Sequence, residues 1–465
     1  MDYISLFREK HIENNPAYPH NDIGIAKLFY DLHCNLICYV VESKAWYAYN
    51  GKRWAKDDGG LYVMEMCKSF VQALDSYANS FDNGGEESKA FMKYASGLHK
   101  RRRREGLLCD ARSIAPKSLS YFDKDRLLLN CYNGTYDLRA MKFRQHSAND
   151  YITKIARVKY VPGASCKRWE KFINEITCED VDTTRFLQKA FGYALSGDTT
   201  LECFFILYGS STRNGKSTLT ETMAHMLGDY ARTIQPQTLA RRSPDGASAS
   251  PDIARLKGAR LVNMPEPEKQ LELNTALIKQ LTGGDAYTGR FLNENPVEFH
   301  PEMKVFINTN HLPKTSDDTV FTSGMVKLIP FERHFKPSEQ DIELKKLFRR
   351  RENTSGILNW LIEGHRLLKT EGLRVPDKVR EAIREYMESA DDIGMFLGKV
   401  LIPADGNRVK TSDLHRLHQV WAKENGHRTM SKQEFVGELR HRNLLGRDRA
   451  KGNVVIGFDV KKSVG

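Results

Sequence analysis

A short segment containing glycine, lysine and hydroxyl residues is the part of the sequence best suited to chemistry. It reads Gly209-Ser-Ser-Thr-Arg-Asn-Gly-Lys-Ser-Thr218 and follows the apolar run Cys203–Tyr208. Backbone N–H groups of such a loop, and of the helix predicted after it, point at phosphate oxygens. Lys216 would neutralise the β- and γ-phosphates of a nucleotide, and the Ser217 hydroxyl would ligate Mg²⁺. The predicted nucleotide-binding residues are Gly209, Ser210, Ser211, Thr212, Arg213, Asn214, Gly215, Lys216, Ser217 and Thr218.

The spacing of the glycines departs from the usual pattern of a phosphate-binding loop. Four residues usually precede the Gly-Lys pair after the first glycine, whereas five separate Gly209 from Gly215. Either Ser210 replaces the first glycine or the loop is one residue longer, and the sequence leaves both alternatives open. An accidental Gly-Lys-Ser would be the non-functional explanation, but the strand–loop–helix context argues against it.

Two downstream strands end in side chains that a nucleotide hydrolase needs. The strand Arg260–Met264 delivers Glu266 and Glu268, which could hold Mg²⁺ and orient the attacking water. Prolines flank Glu266, so a surface acidic turn is the alternative. Asn310 follows another strand of buried character and could hydrogen-bond the γ-phosphate or the water. The predicted catalytic residues are therefore Lys216, Glu266, Glu268 and Asn310, and the predicted magnesium ligands are Ser217 and Glu266.

The elements around these motifs predict how the residues are positioned. From Cys203 to about Phe335, strands alternate with helices, which indicates a mostly parallel, doubly wound sheet. The first 160 residues mix an amphipathic helix near Ile23–Leu36 with short aromatic strands, which indicates an α+β region. Helical patterns occupy Lys167 to about Leu195 and return from about Ser338 to Leu401.

The composition limits the class of protein. The chain has 465 residues and a formal net charge of +12, which weakly favours polyanionic partners such as nucleic acid. No apolar run reaches the roughly 18 residues that a membrane span needs, and the charged start is no signal peptide. We therefore expect no membrane partner and a cytoplasmic location. The eight cysteines form no Cys-x-x-Cys pair, so we expect reduced thiols and no zinc ribbon.

The last 60 or so residues predict a separate winged-helix domain. An amphipathic helix at Thr411–Lys423 precedes a second helix that opens with a capping box, Ser431-Lys-Gln-Glu434. A basic turn then leads into the strand Val454–Phe458. The second helix of such a domain usually enters the major groove of duplex DNA, although winged domains also mediate protein contacts. The predicted DNA-binding residues here are Lys432, Arg440, Arg442, Arg447, Arg449 and Lys451.

Several of these motifs, taken in order, resemble a known family. They are Leu256–Val262, Glu266, Leu277–Asp285 with Arg290, Asn308–Pro313 and Ile329–Phe331. Together they resemble the superfamily 3 helicases of the poxvirus and phage/plasmid primase–helicase type, and Leu-Thr-Gly-Gly-Asp285 is the most specific piece. Phe186–Gly197 looks like the helical collar of that family, and Asn133–Leu138 like part of its N-terminal domain. The resemblance implies an AAA+ core that assembles as a hexameric ring around DNA, with ATP and Mg²⁺ between subunits.

The resemblance also implies roles for residues that spacing alone does not explain. Lys279 and Arg290 fall in a motif that leads into a hairpin facing the channel, where basic side chains suit phosphate contacts. A structural hairpin with internal ion pairs is the alternative. Relatives carry an arginine finger just before the Ile-Pro-Phe strand, where this chain has Met325. Lys327 and Arg333 are the predicted substitutes; either the finger has moved or hydrolysis is weak.

These patterns predict an α/β protein with an AAA+-type P-loop core, an α+β N-terminal domain and a C-terminal winged-helix domain. The expected domains are residues 1–165 (N-terminal), 166–198 (collar), 199–337 (ATPase core), 338–402 (helical segment) and 403–465 (winged helix). The expected function is an ATP-dependent DNA helicase and replication initiator of a phage or related element, without a primase domain, in the bacterial host cytoplasm. The alternative is an ATP-switched origin-binding or loading scaffold that unwinds little.

Overall fold

The computed structural model describes residues 1–81, 84–241, 251–267, 271–289, 297–315, 319–425, 427, 429–448 and 452–461. The N-terminal region begins with two helices, a three-stranded antiparallel sheet and three more helices, and ends in a second antiparallel sheet. Its helices are α1 (Tyr3–Lys10), α2 (Asp22–His33), α3 (Leu61–Ser80), α4 (Glu86–Gly97) and α5 (Arg101–Ala111). Its strands are β1 (Ile37–Val40), β2 (Ala45–Tyr49), β3 (Trp54–Asp57), β4 (Leu128–Cys131), β5 (Gly134–Asp137) and β6 (Lys142–Arg144).

A five-stranded parallel sheet forms the centre of the molecule. Its strands are β7 (Phe204–Tyr208), β8 (Ala231–Thr233), β9 (Leu261–Met264), β13 (Lys304–Thr309) and β15 (Val326–Pro330), in the order β15-β7-β13-β9-β8. The remaining strands of this region form two small pairs, β10 (Glu272–Leu273) with β14 (Lys314–Thr315) and β11 (Tyr287–Gly289) with β12 (Val297–Phe299). The predicted parallel core is confirmed, and β7 lies inside the sheet with neighbours on both sides.

The apolar composition of β7 follows from its position. Successive side chains of a strand point to opposite faces, and here Phe204 and Ile206 enter one hydrophobic cluster while Phe205 and Leu207 enter another. Helices cover both faces. They are α8 (Lys216–Leu227), α9 (Pro251–Ala254), α10 (Thr275–Thr282), α11 (Thr319–Thr322), α12 (Leu344–Phe348) and α14 (Asp377–Ala390).

The predicted collar is a helix pair that packs on a long helix from later in the chain. It consists of α6 (Lys167–Ile176) and α7 (Val181–Tyr193), and α7 lies against α13 (Arg351–Glu371). The two backbones meet at glycines: a Cβ on Gly192 would lie 2.3 Å from the backbone nitrogen of His365, and one on Gly364 would lie 2.2 Å from the carbonyl oxygen of Gln188. Larger side chains at these glycines would force α7 and α13 apart.

The hydrophobic cores do not follow the predicted boundary at residue 165. Leu129, Tyr136 and Val158, on the second N-terminal sheet and the chain after it, belong to the same cluster as the collar and the central sheet. The five N-terminal helices form their own cluster with the first sheet. The segment around 129–158 therefore packs as part of the central-sheet core, because its apolar side chains are covered there.

The C-terminal region has the winged-helix order of elements. It comprises α15 (Asp392–Val400), β16 (Leu401–Lys410), α16 (Thr411–Asn425), α17 (Lys432–His441), β17 (Leu445–Asp448) and β18 (Gly452–Val460). Its antiparallel strands have the order β16-β18-β17. The predicted start at residue 403 is too late, because Phe396 and Val400 of α15 lie in the same core as Trp421 and Phe435. The helix that begins at Asp392 is the first helix of this domain.

Candidate nucleotide-binding site and nucleic-acid-binding surfaces

The structure separates the two alternatives for the start of the phosphate-binding loop. The N–H of Gly209 donates to the carbonyl oxygen of Thr309 at 3.2 Å, so the ladder between β7 and β13 continues through Gly209. The loop therefore begins at Ser210, which stands where the usual pattern has its first glycine. The Asn214 side chain closes the loop by donating to the carbonyl oxygen of Ser211 at 2.6 Å.

Gly215 ends the loop in a conformation that glycine favours. Its φ is +89°, in the left-handed region, and it immediately precedes α8. A Cβ at this position would lie 2.4 Å from Cγ2 of Ile176 and 3.2 Å from Cε2 of Phe172, both on the collar helix α6. Two constraints thus fix glycine here, the backbone angle and the close packing of α6. The N-terminus of α8, which attracts anions, directly follows this glycine.

Three of the predicted catalytic side chains form one hydrogen-bonded chain. The Lys216 ammonium donates to Oδ1 of Asn310 at 2.7 Å. The Asn310 amide in turn donates to Oε2 of Glu266 at 2.8 Å, and its backbone N–H donates to Oε1 of the same carboxylate at 3.2 Å. These residues follow β7, β13 and β9, three adjacent parallel strands whose carboxyl ends meet at one edge. Glu268 lies outside the described residues.

The residues of this hydrogen-bonded series differ in their exposure to solvent. Lys216 is buried, and burial lowers the pKa of its ammonium to about 8, while the nearby Glu266 carboxylate opposes that shift. Ser217, in the first turn of α8, and Glu266 are exposed. A negatively charged phosphate beside Lys216 would restore the charge that burial disfavours. The Ser217 hydroxyl and the Glu266 carboxylate are hard oxygen ligands, as Mg²⁺ prefers.

A buried amide pair beneath the site was missed by the sequence reasoning. Nδ2 of Asn308 donates to Oδ1 of Asn263 at 2.6 Å and to Oγ1 of Thr220 at 3.2 Å. These contacts join β13, β9 and α8 next to the predicted catalytic residues. The available signal was an asparagine within each of two otherwise apolar strands, since buried polar groups require partners.

The predicted channel residues are only partly described. Lys279 lies on α10 and is half-buried. The helix is followed by Gly284, whose φ of +80° turns the chain toward the antiparallel pair β11–β12, so the predicted hairpin is present. Arg290, the next residue in the sequence after β11, lies outside the described residues.

Neither predicted substitute for the finger extends as a solvated cation. Nζ of Lys327 donates to the carbonyl oxygen of Gly324 at 2.5 Å, and burial lowers its pKa. Arg333 pairs with Glu339 at 2.7 Å. The residues after Arg333 bond to the loop of the same chain, because the N–H of Phe335 donates to the carbonyl oxygen of Arg213 at 3.0 Å. Arg333 thus lies beside its own phosphate-binding loop.

The basic residues of the winged-helix domain fall into two groups. Lys432 and Arg440 on α17 and Arg447 on β17 are exposed. Arg442 instead forms a bidentate ion pair with Asp391, at 2.8 and 2.6 Å, which holds the end of α17 against the start of α15. Arg442 therefore stabilises the domain through this ion pair, a role other than the predicted contact with DNA. Arg449 and Lys451 lie outside the described residues.

Helices long and apolar enough to cross a membrane are absent from the part of the chain that the structure describes.

The sheet order and the loop after an inner strand define an AAA+-type core, and comparison with protein families agrees with the predicted resemblance. Residues 26–178 match the family described as D5 N terminal like, and residues 388–444 match the family described as Poxvirus D5 protein-like. Residues 207–320 match a family of unknown function, DUF5906. The similarity to families named for the D5 protein thus covers two separate stretches, one near each end of the chain.

Curated relatives come from large DNA viruses. The chain is 27% identical over 426 residues to "Putative helicase L207/L206" of Acanthamoeba polyphaga mimivirus, covering 83% of this chain and 44% of that protein. It is 22% identical over 541 residues to "Putative helicase 022R" of Frog virus 3 (isolate Goorha), covering 88% and 55%. The chain therefore spans about half the length of the curated relatives that it matches.

Solved structures show the same fold. The apo A form of the NrS-1 C-terminal region superposes with a TM-score of 0.51 at 10% identity, covering 94% of this chain and 100% of that one. A second structure, of its residues 305–718, gives a TM-score of 0.51 at 11% identity. The fold class expected from the sequence is thereby confirmed.

Proposed function

We propose that this chain is the motor of an ATP-dependent DNA helicase that acts in viral or phage-type DNA replication. The observation that carries the proposal is the chain of contacts Lys216–Asn310–Glu266 at the carboxyl ends of three parallel strands. A phosphate-binding loop, a carboxylate and a polar amide at one point are what hydrolysis of a nucleoside triphosphate requires. The helicase-named viral relatives support the same role.

Each residue has a distinct task in this proposal. Backbone N–H groups of Ser210–Gly215 and the start of α8 hold the phosphates. Lys216 has three N–H donors, so it can stabilise charge on the γ-phosphate while it keeps Asn310 in place. Glu266 orients the attacking water, and Asn310 links that carboxylate to the γ-phosphate. Ser217 and Glu266 would hold Mg²⁺, which neutralises phosphate charge.

We further propose that ATP binds between subunits of a homo-oligomeric ring, most simply a hexamer. The family resemblance supports this assembly. DNA would pass along the hairpin after Lys279, and duplex DNA would bind the winged-helix domain at Lys432, Arg440 and Arg447. The viral relatives support a role in viral replication. The narrower form of the proposal is a phage protein that acts in the cytoplasm of a bacterial host.

The second candidate is an ATP-switched scaffold that assembles on DNA and unwinds little. Met325, which stands where relatives carry an arginine, favours it, because a missing trans cation would slow hydrolysis. The two candidates differ in whether ATP turnover is coupled to strand separation.

DNA-stimulated ATP turnover and displacement of a labelled strand test the proposal. We expect both activities in the wild type and neither in Lys216→Ala. Glu266→Gln should bind ATP but turn it over at least about a hundredfold more slowly, as removal of a residue that orients the attacking group predicts. Lys346→Ala, at a lysine side chain with 75% exposure, is the matched control and should behave as wild type.

The outcomes separate the candidates. Turnover without strand displacement would favour the scaffold, and full turnover in well-folded Lys216→Ala would remove the nucleotide site. Light scattering with ATP and DNA present should detect rings; a monomer that is fully active would contradict the shared site.

A further inference from the structure

Three buried polar side chains lie on the elements that carry or precede the candidate hydrolysis residues. They are Asn263 on β9, Asn308 on β13 and Thr220 on α8. The two asparagines point to the face of the sheet that α8 covers, because Leu261 and Phe306, each two residues earlier in its strand, enter the hydrophobic cluster that α8 also enters. Burial of a polar side chain is costly unless it is hydrogen-bonded. The contacts of these three side chains therefore matter for the fold around the site.

The hydrogen bonds of Asn308 depend on its amide acting as the donor. Its Nδ2, which carries two protons, donates to Oδ1 of Asn263 at 2.6 Å and to Oγ1 of Thr220 at 3.2 Å. The Thr220 hydroxyl donates its single proton to the carbonyl oxygen of Lys216 at 3.2 Å, so it can only accept from Asn308. Oδ1 of Asn308 has no partner among the residues that the structure describes. We refer to Asn263, Asn308 and Thr220 as the amide bridge.

The amide bridge connects the backbones that carry the candidate hydrolysis residues. At one end it holds the carbonyl oxygen of Lys216. Its middle residue lies two positions before Asn310, on the same face of β13. Its other end lies on β9, three residues before Glu266. A shift of any one of these backbones relative to the others would therefore strain or break the bridge.

Other contacts hold these backbones less firmly at this point. The backbone ladder between β9 and β13 ends at the pair Met264–Ile307, before either Glu266 or Asn310. The helix α8 forms no ladder with the sheet, so its position there depends on side-chain contacts. Lys216 and Glu266 do contact Asn310, but through longer side chains with more rotatable bonds. The short side chains of the amide bridge allow less movement.

We propose that the three residues of the amide bridge are positioning residues for ATP hydrolysis, which set the distance between the Lys216 ammonium and the Asn310–Glu266 pair. The assignment rests on the proposed nucleotide site and adds the side chains that align it. In the proposed complex the backbone of the phosphate-binding loop, rather than the bridge, holds the phosphates. Loss of the bridge should therefore slow turnover far more than it weakens nucleotide binding.

Steady-state ATP turnover by the full chain with Mg²⁺, together with titration of the non-hydrolysable analogue AMP-PNP, tests this assignment. In Asn308→Ala, kcat should fall at least about tenfold, because a displacement of about 1 Å can cost roughly a hundredfold in rate. Affinity for AMP-PNP should change by less than about twofold. Thr220→Val keeps the shape of the side chain without its hydroxyl and should also lower kcat. Thr220→Ser keeps the hydroxyl and should recover most of that loss.

Asn130→Ala is the matched control. Asn130 is also a buried asparagine whose amide donates to two acceptors, the carbonyl oxygens of Lys52 at 3.0 Å and Lys154 at 2.9 Å, but it lies on β4 in the second N-terminal sheet. Its replacement should lower the melting temperature about as much as Asn308→Ala does, with kcat unchanged. Combining Asn308→Ala with Thr220→Val should give a kcat close to that of the slower single variant, because both changes break one bridge.

Each other result overturns the assignment. A kcat that falls equally in Asn130→Ala would mean that turnover follows stability rather than alignment. Normal kcat in Asn308→Ala and Thr220→Val would mean that the bridge does not align the site, and if Asn308→Ala does not fold, the Thr220 variants decide alone. Parallel loss of AMP-PNP affinity and kcat would mean that the bridge supports the loop. Failure of the proposed function looks different, because the wild type would then not hydrolyse ATP.

Discussion

The ammonium group of Lys216 lies in an environment that weakens its hold on a proton. Burial lowers its pKa from 10.5 to about 8, and the Glu266 carboxylate only partly opposes the shift. In the proposed complex, a phosphate beside Lys216 would favour the charged ammonium and so offset the cost of its burial. The free protein and the complex therefore differ in how strongly they hold this proton.

That difference predicts a pH dependence of ATP affinity. Below about pH 8, Lys216 is charged in the free protein and binding needs no proton. Above it, the neutral amine must take up a proton on binding, so the dissociation constant should rise by up to about tenfold per pH unit. Titration calorimetry with AMP-PNP between pH 7 and 9.5, in buffers of different ionisation enthalpy, measures the affinity and the proton uptake.

Lys216→Arg is the control for this effect. A guanidinium stays charged over the whole range, so the variant should bind more weakly but with a flat profile. A wild-type affinity that does not change with pH, without proton uptake, would contradict the lowered pKa of the buried ammonium.

Among the elements, the collar helix α6 has a direct effect on the phosphate-binding loop. Its Ile176 and Phe172 side chains occupy the space that a Cβ on Gly215 would need. The loop shape thus depends on a helix that precedes the ATPase strands in the chain. Movement of the collar would therefore change the shape of the phosphate-binding loop.

Gly215→Ala should therefore impair nucleotide binding. The left-handed backbone costs a non-glycine residue roughly 1–2 kcal/mol, and the contact with Ile176 adds to it. We expect ATP affinity to fall by at least about tenfold, with a lower melting temperature. Gly106→Ala, inside α5 with no atom within 4 Å of the new Cβ, is the matched control. It should be neutral or slightly stabilising, and normal binding in Gly215→Ala would show that the loop adapts.

Arg260, at the start of β9, joins three parts of the molecule. Its guanidinium donates to the carbonyl oxygens of Leu195 at 2.6 Å and Leu128 at 2.8 Å, and stacks 4.4 Å from the ring of Tyr230. The collar, the second N-terminal sheet and the central sheet are thereby held at one buried point.

Replacing Arg260 by methionine should be strongly destabilising. Two buried carbonyl oxygens would lose their donor, at about 1–3 kcal/mol each. The midpoint of urea unfolding should fall accordingly, while Arg255→Met, at an arginine side chain with 62% exposure, should have little effect. A midpoint unchanged from wild type would mean that water replaces the guanidinium.

At the scale of the whole molecule, the winged-helix domain begins well before the segment that carries its predicted DNA-binding residues. The first helix, α15, contributes Phe396 and Val400 to the domain core, and Asp391 caps that helix and holds Arg442. A truncation that leaves α15 behind would expose this core. Removal of residues 391–465 is the cleaner deletion and should leave basal ATP turnover intact.

Duplex binding should depend on the exposed basic residues of this domain. If Lys432, Arg440 and Arg447 each contact a phosphate, their combined replacement by alanine should flatten the log K against log salt slope by about 0.9 per contact, or roughly 2.7 in total. Affinity for a duplex at several salt concentrations measures it. Removing three other exposed charges, Lys399, Arg416 and Lys423, should change the slope less. Equal effects would mean that the domain attracts DNA only through net charge.

The sequence alone determined the class of the core, and it singled out three candidate residues that the structure brings together. Glu266 and Asn310 could be singled out because each closely follows an apolar strand, and Lys216 because it closes the loop after another such strand. The carboxyl ends of parallel strands meet at one edge, so the three residues were expected to lie close together. Strand type, turn chemistry and the glycine-rich loop are local properties. Such properties depend on residues that are neighbours in the sequence.

Tertiary structure alone decided which side chains are held by distant partners. The start of the loop at Ser210 depends on Thr309, the internal role of Arg442 depends on Asp391, and the collar's contact with Gly215 depends on α6. The partners in these contacts are about 40 to 100 residues apart. Periodicity and spacing do not encode such contacts, because a residue's partner at that distance depends on how the elements pack. The packing in turn minimises the free energy of the whole core rather than of any one segment.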